Sequence, residues 1–215
     1  MDTKEILYCY KMTHDTGFAP NPYHDVLTLA TCKPIIRKCA KKGYWISGWA
    51  SNVVQGKDKK YTDKAQKLIY LAEVSDVLSF EEYWNKYPQK QQPKKSVENG
   101  KECYKTCGNN VAIKNSDISF CGDNIYEPKK GESFGFKQHK NPHHGPDCKE
   151  HDLSGQNVLV CKKFYYFGIE NAIDIENKDF TIPRWKKFSM EDKEAKAVID
   201  YVSKNYSKGL YPNKK

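Results

Sequence analysis

Short apolar runs alternate with polar segments along the chain, and this pattern predicts a fold that mixes strands with a few helices. The runs are rich in β-branched and aromatic side chains, which is typical of strands. They cover residues 6–10, 26–30, 44–50, 67–74, 158–161 and 164–168, the last two as one extended segment that ends at Gly168. The third and fourth runs flank a polar turn, and we expect them to pair as a hairpin with a long tip.

Two segments in the first half of the chain carry the start and stop signals of helices. Pro34 suits the first turn of a short helix that ends before Gly43. Ser79 and Glu82 have the spacing of a capping box, which predicts a helix that stops near Pro88.

A third helix is expected near the C-terminus. Ser189 with Asp192 three residues later predicts its start, apolar residues recur on one face up to Tyr206, and Gly209 follows its end. Together with the strands, this helix predicts an α+β fold built on a twisted, partly closed sheet.

The length of 215 residues favours one domain over residues 1–215. Two polar segments lack any periodicity, at about residues 89–115 and 127–152, and we expect them to be excursions from this domain.

The charge balance narrows the choice of partners. Lys and Arg number 36 against 27 Asp and Glu, giving a net charge of +9, which suits a polyanion such as DNA. Almost all of the positive charge is Lys, so a solvated lysine face is an equal alternative. No stretch is long and apolar enough to cross a membrane and no apolar signal segment opens the chain, so the sequence predicts a cytoplasmic protein without a membrane partner.

The polar segment of residues 13–22 is the strongest candidate for function. Pro20 and Pro22 restrict the backbone and Gly17 permits a turn, so this loop is expected to be stiff. Stiff loops that carry His, Asp, Thr and Asn often bind ligands or catalyse reactions. The alternative is that these side chains only satisfy the loop's own backbone.

His14, Asp15 and Asp123 are the candidate catalytic residues if the protein is an enzyme. His14 titrates in the range needed for acid/base work, and a hydrogen-bonded structural role is the alternative. His14 and Asp15 would point to opposite faces of an extended chain, so we treat them as separate candidates. Asp123 could supply a second polar group from across the core.

Base recognition requires stacking faces and hydrogen bonds to the edge of the base. Aromatic residues inside strands are more often core, so those near loops are preferred as stackers. The candidate base-binding residues are Thr13, Phe18, Asn21, Tyr23, Trp49 and Asn124, and Lys33 and Arg37 are the candidates for phosphate.

Metal binding is a further candidate because Cys and His residues are dense in the two excursions. A structural zinc site is expected to draw on Cys103, Cys107, His143 and Cys148. Their spacing matches no finger pattern, and reduced thiols with surface histidines are the alternative. Cys9, Cys32 and Cys161 lie in apolar runs and are expected to be small buried hydrophobes. No other cofactor is predicted.

Several motifs resemble, in order along the chain, the second nucleotide-modification-associated domain family of bacteria and phages. The resemblance is strongest in residues 14–22, 27–37 and 43–48 and extends over most of residues 6–185. It implies a nucleic-acid or nucleotide role without fixing a reaction. A weaker likeness, in the helix and strand of residues 34–50, is to PUA-like domains such as EVE and ASCH, which implies a β-barrel with peripheral helices and a base-holding cleft.

These observations predict a domain that binds DNA or a nucleotide and recognises a modified base in a pocket rimmed by residues 13–23. One alternative is an enzyme that modifies a nucleotide or base with His14 or Asp15 as general base. Another is a zinc-stabilised interaction module. The sequence does not decide whether the protein catalyses a reaction or only binds, whether it prefers DNA or RNA, or what its oligomeric state is.

Overall fold

The structure is a computed structural model that describes residues 6–91, 94–98, 101–106, 109–113, 122–176 and 180–211, with the backbone alone for residues 94–113. The strands are β1 (Ile6–His14), β2 (Leu27–Leu29), β3 (Trp45–Gln55), β4 (Lys60–Tyr61), β5 (Leu68–Glu73), β6 (Asp76–Ser79), β7 (Lys94–Glu98), β8 (Lys101–Thr106), β9 (Asn109–Ile113), β10 (Tyr126–Pro128), β11 (Phe136–Gln138), β12 (Asn157–Cys161), β13 (Lys163–Tyr166), β14 (Trp185–Ser189) and β15 (Gly209–Leu210). The helices are α1 (Pro34–Cys39), α2 (Phe80–Lys86), α3 (Lys149–Leu153) and α4 (Lys193–Asn205).

The capping signals explain the starts of two helices. Pro34 opens α1, and the predicted capping box begins α2, where Ser79 Oγ accepts from Glu82 N at 3.2 Å and Glu82 Oε2 accepts from Ser79 N at 2.8 Å. The predicted start of the C-terminal helix at Ser189 was wrong. Ser189 ends β14, and α4 begins after Asp192, whose carboxylate accepts from Ser189 N at 2.8 Å.

The main sheet of the described residues contains seven strands in the order β14-β1-β3-β5-β13-β15, with β4 paired to β3. β1 and β3 are parallel, whereas β3 and β5 form the antiparallel hairpin that the sequence predicts. The path runs from β14 to β15 without closing among the described strands. The structure is therefore a mixed α+β fold with a mainly sheet core, and the partly closed PUA-like barrel is not confirmed.

A second sheet has the order β2-β12-β6. Its strand β2 lies in the chain between the loop of residues 13–22 and Cys32. The extended segment of residues 158–168 is divided between two sheets, because β12 pairs with β2 and β6 while β13 joins the main sheet. The excursions also contain regular structure: β7, β8 and β9 form one small antiparallel sheet, and β10 and β11 form a hairpin before α3.

Side chains from the two faces of the main sheet build separate parts of the core. Successive residues of a strand point to opposite faces. Leu7 and Cys9 of β1 accordingly pack in the cluster that contains Val198 of α4, whereas Tyr8 and Tyr10 pack in the cluster that contains Leu159 of β12. Among the described residues, no helix combines the length and apolar character needed to span a membrane.

Candidate functional site

Two cavities lie against the loop between β1 and β2. The smaller, of about 250 Å³ and hereafter the small cavity, is lined by residues that include Thr13, His14, Phe18, Cys32, Lys33 and His144. The larger, of about 600 Å³ and hereafter the large cleft, is lined by residues that include Asp15, Tyr23, Lys57, Tyr166 and Lys208. Thr16 lines both, so the loop is their common wall.

The small cavity brings together five residues that the sequence singled out: Thr13, His14, Phe18, Lys33 and His143. Thr13 and His14 are exposed, with Thr13 Oγ1 and His14 Nδ1 3.1 Å apart. Phe18 is buried and stacks on His143 with ring centroids 5.1 Å apart. The predicted stacking ring is therefore a wall of the cavity, with one face already covered by a histidine.

Asp15 lies on the other side of the loop, in the large cleft. It is buried, accepts a short hydrogen bond from the Tyr166 hydroxyl, and accepts from Ile169 N at 2.6 Å. Burial raises the pKa of Asp15 above its ordinary value. His14 and Asp15 thus serve different cavities, as the opposite faces of an extended strand require.

Asp123 does not join His14 or Asp15. It is completely buried and accepts from Thr28 Oγ1 at 2.9 Å, from Tyr83 Oη at 2.6 Å and from the backbone N–H of Ala30 at 3.2 Å. It lines neither the small cavity nor the large cleft. Asp123 therefore helps to hold β2 and α2 together in the core, and its role as a catalytic partner stays a prediction.

Asn21 and Asn124 hold backbone in place. Asn21 is fully buried, donates from Nδ2 to Gly17 O at 3.0 Å, and accepts at Oδ1 from Lys90 Nζ at 2.8 Å. Asn124 donates from Nδ2 to the carbonyls of Tyr83 and Tyr87, both at 3.1 Å. Neither amide lines the small cavity or the large cleft. Asn21 bonds the backbone of its own loop at Gly17, whereas Asn124 bonds the carbonyls of α2 and of the residue that follows it, and their base-binding roles stay predictions.

Trp49 and Tyr23, the other two predicted stackers, have opposite environments. Trp49 is completely buried in the cluster under α4, and its Nε1 donates to Ser47 Oγ at 2.9 Å. Tyr23 is half-buried and lines the large cleft. Only Tyr23 is placed where a ligand in one of these cavities could reach it.

Arg37 is not at the surface, where a phosphate would be expected to meet it. It is completely buried, and its guanidinium donates to the carbonyls of Cys32 at 2.7 Å, Asn157 at 2.6 Å and Asp152. Burial lowers the pKa of Arg37 to about 10. All three bonds are made to backbone carbonyls, and the phosphate contact of Arg37 stays a prediction.

Cys32, His144 and Asp152 form a compact hydrogen-bonded group at the small cavity. Cys32 Sγ lies 3.3 Å from His144 Nε2, and His144 Nδ1 lies 2.6 Å from Asp152 Oδ2. Asp152 also accepts from Cys32 N and from Tyr126 Oη, each at 2.8 Å. The imidazole is thus bonded at both ring nitrogens, to a thiol on one side and to a buried carboxylate on the other.

The electrostatics of this group follow from that arrangement. Burial disfavours a charged imidazole, but the hydrogen bonds to Asp152 and Cys32 outweigh it and raise the pKa of His144 to about 10. Burial opposes ionisation of Asp152 as well, yet the hydrogen bond and charge of His144 lower the pKa of that carboxyl below its ordinary value. His144 consequently keeps its proton as an imidazolium, 3.3 Å from Cys32 Sγ.

The backbone at Cys32 has an unusual conformation. Cys32 stands between β2 and α1 with φ of 57°, and Lys33 follows with φ of 43°. Residues with a Cβ rarely adopt this left-handed region, and such conformations concentrate at functional sites. Lys33 lies over the Tyr10 ring, with Nζ 4.6 Å from its centroid, and lines the same cavity.

The predicted metal site is only partly within the described residues. Cys107 lies outside them, and Cys103 lies in β8, whose side chains are not described. In the part of the chain that the structure describes, His143 and Cys148 do not belong to a group of three close ligand-type side chains, whereas Cys32, His144 and Asp152 do. The zinc site on Cys103, Cys107, His143 and Cys148 stays a prediction.

Several residues that the sequence singled out line the small cavity, but the sequence did not predict the Cys32–His144–Asp152 group beside it. Cys32 was expected to be a buried hydrophobe because its neighbours in the chain are apolar, although it is only half-buried. His144 and Asp152 lie in a polar segment without periodicity, 112 and 120 residues away from Cys32. The sequence signal that could have drawn attention to Cys32 was its position just before a helix that begins at Pro34. That signal does not identify His144 or Asp152 as its hydrogen-bonding partners.

The fold and the site define an α+β domain with a polar cavity beside a Cys–His–Asp group. The chain matches the model of the nucleotide modification associated domain 2 family over residues 4–213, nearly its whole length, and it belongs to that family. The family name implies a role in nucleotide modification. No curated protein and no solved structure matches the chain.

Proposed function

We propose that this domain binds a nucleotide, free or within DNA, with the base in the small cavity and the phosphates toward the large cleft. The observation that carries the proposal is that Thr16 is a wall of both cavities, so one ligand can occupy the two together. Family membership supports a nucleotide as that ligand. A base-holding cleft is also what the likeness to PUA-like domains implies.

The small cavity has the groups that reading a base requires. Thr13 and His14 are exposed at its edge and offer hydrogen-bonding atoms, while Phe18 and His143 supply flat walls. Lys33 is the charged lysine among its lining residues, and none of the described residues that line it is acidic. A base with carbonyl oxygens directed toward Lys33 fits this lining.

The large cleft supplies positive charge for phosphate. Lys57 and Lys208 are exposed in its lining, whereas Asp15 is occupied by two hydrogen bonds within the protein. Lys57 also lies near enough to the small cavity to affect His143, whose pKa is lowered by burial first and then by the charges of His144 and Lys57. The cleft also contains Asp25 and Glu170, so phosphate must approach from the lysine side.

Binding is tested with fluorescein-labelled single-stranded DNA and RNA, duplex DNA, and unlabelled mononucleotides as competitors. Replacing both cleft lysines, Lys57→Gln with Lys208→Gln, should weaken binding and flatten its salt dependence by about 0.7 logarithmic units per lost lysine contact on a single strand. The matched control replaces Lys38 and Lys41, which are exposed and line neither cavity. Equal losses in both double variants, or no binding of any ligand at low salt, would refute the proposal.

A further inference from the structure

We infer that the domain is a thiol enzyme in which Cys32 is the nucleophile, His144 the base and Asp152 a positioning residue, and that Cys32 adds to C6 of a pyrimidine base held in the small cavity. The identity of the substrate rests on the proposed function, whereas the reactivity of the thiol does not. The three side chains come from the β2–α1 turn, the segment before α3, and α3 itself.

The geometry meets the requirements of an activated nucleophile. A thiol attacks as the thiolate, so it needs a base within hydrogen-bond reach, and that base needs a third group to orient it. His144 Nε2 is 3.3 Å from Cys32 Sγ, and the other ring nitrogen is fixed at 2.6 Å from the Asp152 carboxylate. Asp152 is completely buried, so its carboxylate does not exchange this partner for water.

The turn that carries Cys32 is held from both sides. Asp152 Oδ1 accepts from the backbone N–H of Cys32 at 2.8 Å, and Arg37 Nε donates to its carbonyl at 2.7 Å. These bonds maintain the left-handed backbone between a strand and a helix, which presents the side chain to the cavity. Hydrolase nucleophiles are presented on the same kind of strained strand-to-helix turn.

Two features of the small cavity indicate a single conjugated ring as the electrophile. Its volume of about 250 Å³ is below the usual range for whole ligands, and its walls include the rings of Phe18 and His143. A soft thiolate adds readily to a carbon that is conjugated with a carbonyl, and C6 of a pyrimidine is such a carbon. Lys33 in the same lining can stabilise the oxygen that gains charge as the addition proceeds.

The step balances with water as the only further reactant. The step starts from the ion pair in which His144 Nε2 already holds the thiol proton. Sγ of the thiolate bonds to C6, and the π electrons of the C5=C6 bond move toward the conjugated C4 substituent. His144 then delivers the proton to C5, which gives a 5,6-dihydropyrimidine thioether. Water then removes the original hydrogen from the opposite face of C5 as Sγ is expelled, so nothing is oxidised or reduced and C5 exchanges its hydrogen with solvent.

The nucleophile is tested first without any nucleotide, by alkylation with iodoacetamide at pH 7 and mass spectrometry of each cysteine. Cys39 is exposed and Cys148 is half-buried, so both are references within the same molecule. An ordinary thiol is only about 3% ionised at pH 7, whereas His144 is placed to hold the proton of Cys32, so Cys32 should react roughly tenfold faster than Cys39. His144→Gln should remove this advantage and leave both reference rates unchanged.

Two results of this experiment overturn the inference. One is a Cys32 rate no higher than that of Cys39, and the other is a Cys32 rate that His144→Gln does not change. A metal site makes a different prediction, because protein purified without a tag would contain close to one zinc per chain and lose it in Cys32→Ser. That finding would also overturn the nucleophile.

The substrate class is tested by deuterium exchange at C5 in uracil- and cytosine-containing oligonucleotides incubated with the protein in heavy water. We expect exchange with the wild type and none with Cys32→Ser. Asp152→Asn should slow exchange about 10³-fold or more while the oligonucleotide's Kd is unchanged, which separates positioning of the base from binding. Fast alkylation with no exchange in a bound oligonucleotide would overturn the pyrimidine assignment, and absent binding would refute the proposed function instead.

Discussion

Arg37 Nε donates to the carbonyl of Cys32 at 2.7 Å while the same guanidinium donates to the carbonyl of Asp152. A single buried side chain thus fixes the backbone of the candidate nucleophile and of the carboxylate that orients its base. The third bond of the guanidinium, to Asn157 O at 2.6 Å, ties both to the start of β12. The distance between Cys32 and Asp152 is therefore set by the guanidinium's planar, forked shape.

Arg37→Lys should destabilise the protein and lower the reactivity of Cys32. Lysine keeps the charge but cannot reach three carbonyls in one plane, and each buried carbonyl left without a donor costs about 1–3 kcal/mol. We expect the free energy of unfolding to fall by about 2–4 kcal/mol in urea titrations. Arg184→Lys is the matched control, because Arg184 is the other arginine and is exposed. Equal stability of the two variants would contradict the role of Arg37.

Gly155→Ala should disturb the same bonds without changing a polar group. A Cβ at Gly155 would lie 2.5 Å from Arg37 Cζ, closer than packed atoms allow, so the guanidinium must move. We expect lower stability and slower alkylation of Cys32, although residue 155 lines neither the small cavity nor the large cleft. Wild-type stability and alkylation in this variant would show that the arginine can shift without cost.

The loop of residues 13–23 also depends on a buried cation. Lys90 is completely buried, and its Nζ donates to Asn21 O at 3.0 Å, to Asn21 Oδ1 at 2.8 Å and to Val26 O at 2.7 Å. Lys90→Met should leave these acceptors unpaired and lower the free energy of unfolding by about 2–4 kcal/mol. Lys86→Met is the control, because Lys86 is exposed on α2. A Lys90→Met variant as stable as this control would mean that the loop does not require the cation.

How much the sequence could predict depends on how far apart the interacting residues are. The Ser79–Glu82 capping box and the hairpin of β3 and β5 were predictable, because both follow from local spacing and local apolar patterns. The loop of residues 13–23 could be singled out as a candidate, since prolines and polar residues mark it in the sequence. The burial of Arg37 could not be predicted, because two of its three hydrogen bonds are made to residues 115 and 120 positions away in the chain.

The contribution of His144 to the free energy of unfolding should decrease as the pH rises, because its pKa is higher in the folded state than in the unfolded state. Its folded pKa is raised to about 10 from 6.5, so the folded state holds a proton that the unfolded state releases between these values. The stabilisation is fully present below pH 6.5 and is lost as the pH rises through about 10. The difference in unfolding free energy between wild type and His144→Gln should shrink over this range.

The pKa of Lys90 is shifted in the opposite direction to that of His144. For this reason the test compares the unfolding free energies of wild type and His144→Gln, in which the contribution of Lys90 cancels. Burial lowers its pKa from 10.5 to about 7, so the unfolded state binds the extra proton and stability rises with pH between these values. In the wild type, the pH dependences of stability that arise from His144 and Lys90 therefore have opposite signs. A pH-independent difference between wild type and His144→Gln would contradict the ion pair with Asp152.

The left-handed backbone at Cys32 makes a last prediction that needs no substrate. With φ of 57°, a residue with a Cβ at position 32 is strained, whereas glycine adopts this conformation readily. Cys32→Gly should therefore be more stable than Cys32→Ala by about 1 kcal/mol in urea titrations. The control pair is Cys148→Gly and Cys148→Ala, because Cys148 has φ of −80° and caps α3, so glycine gains nothing there. If the alanine variant is more stable than the glycine variant at both positions, the backbone of the turn does not strain Cys32. The position of the Cys32 side chain at the cavity then depends only on the hydrogen bonds from Asp152 and Arg37.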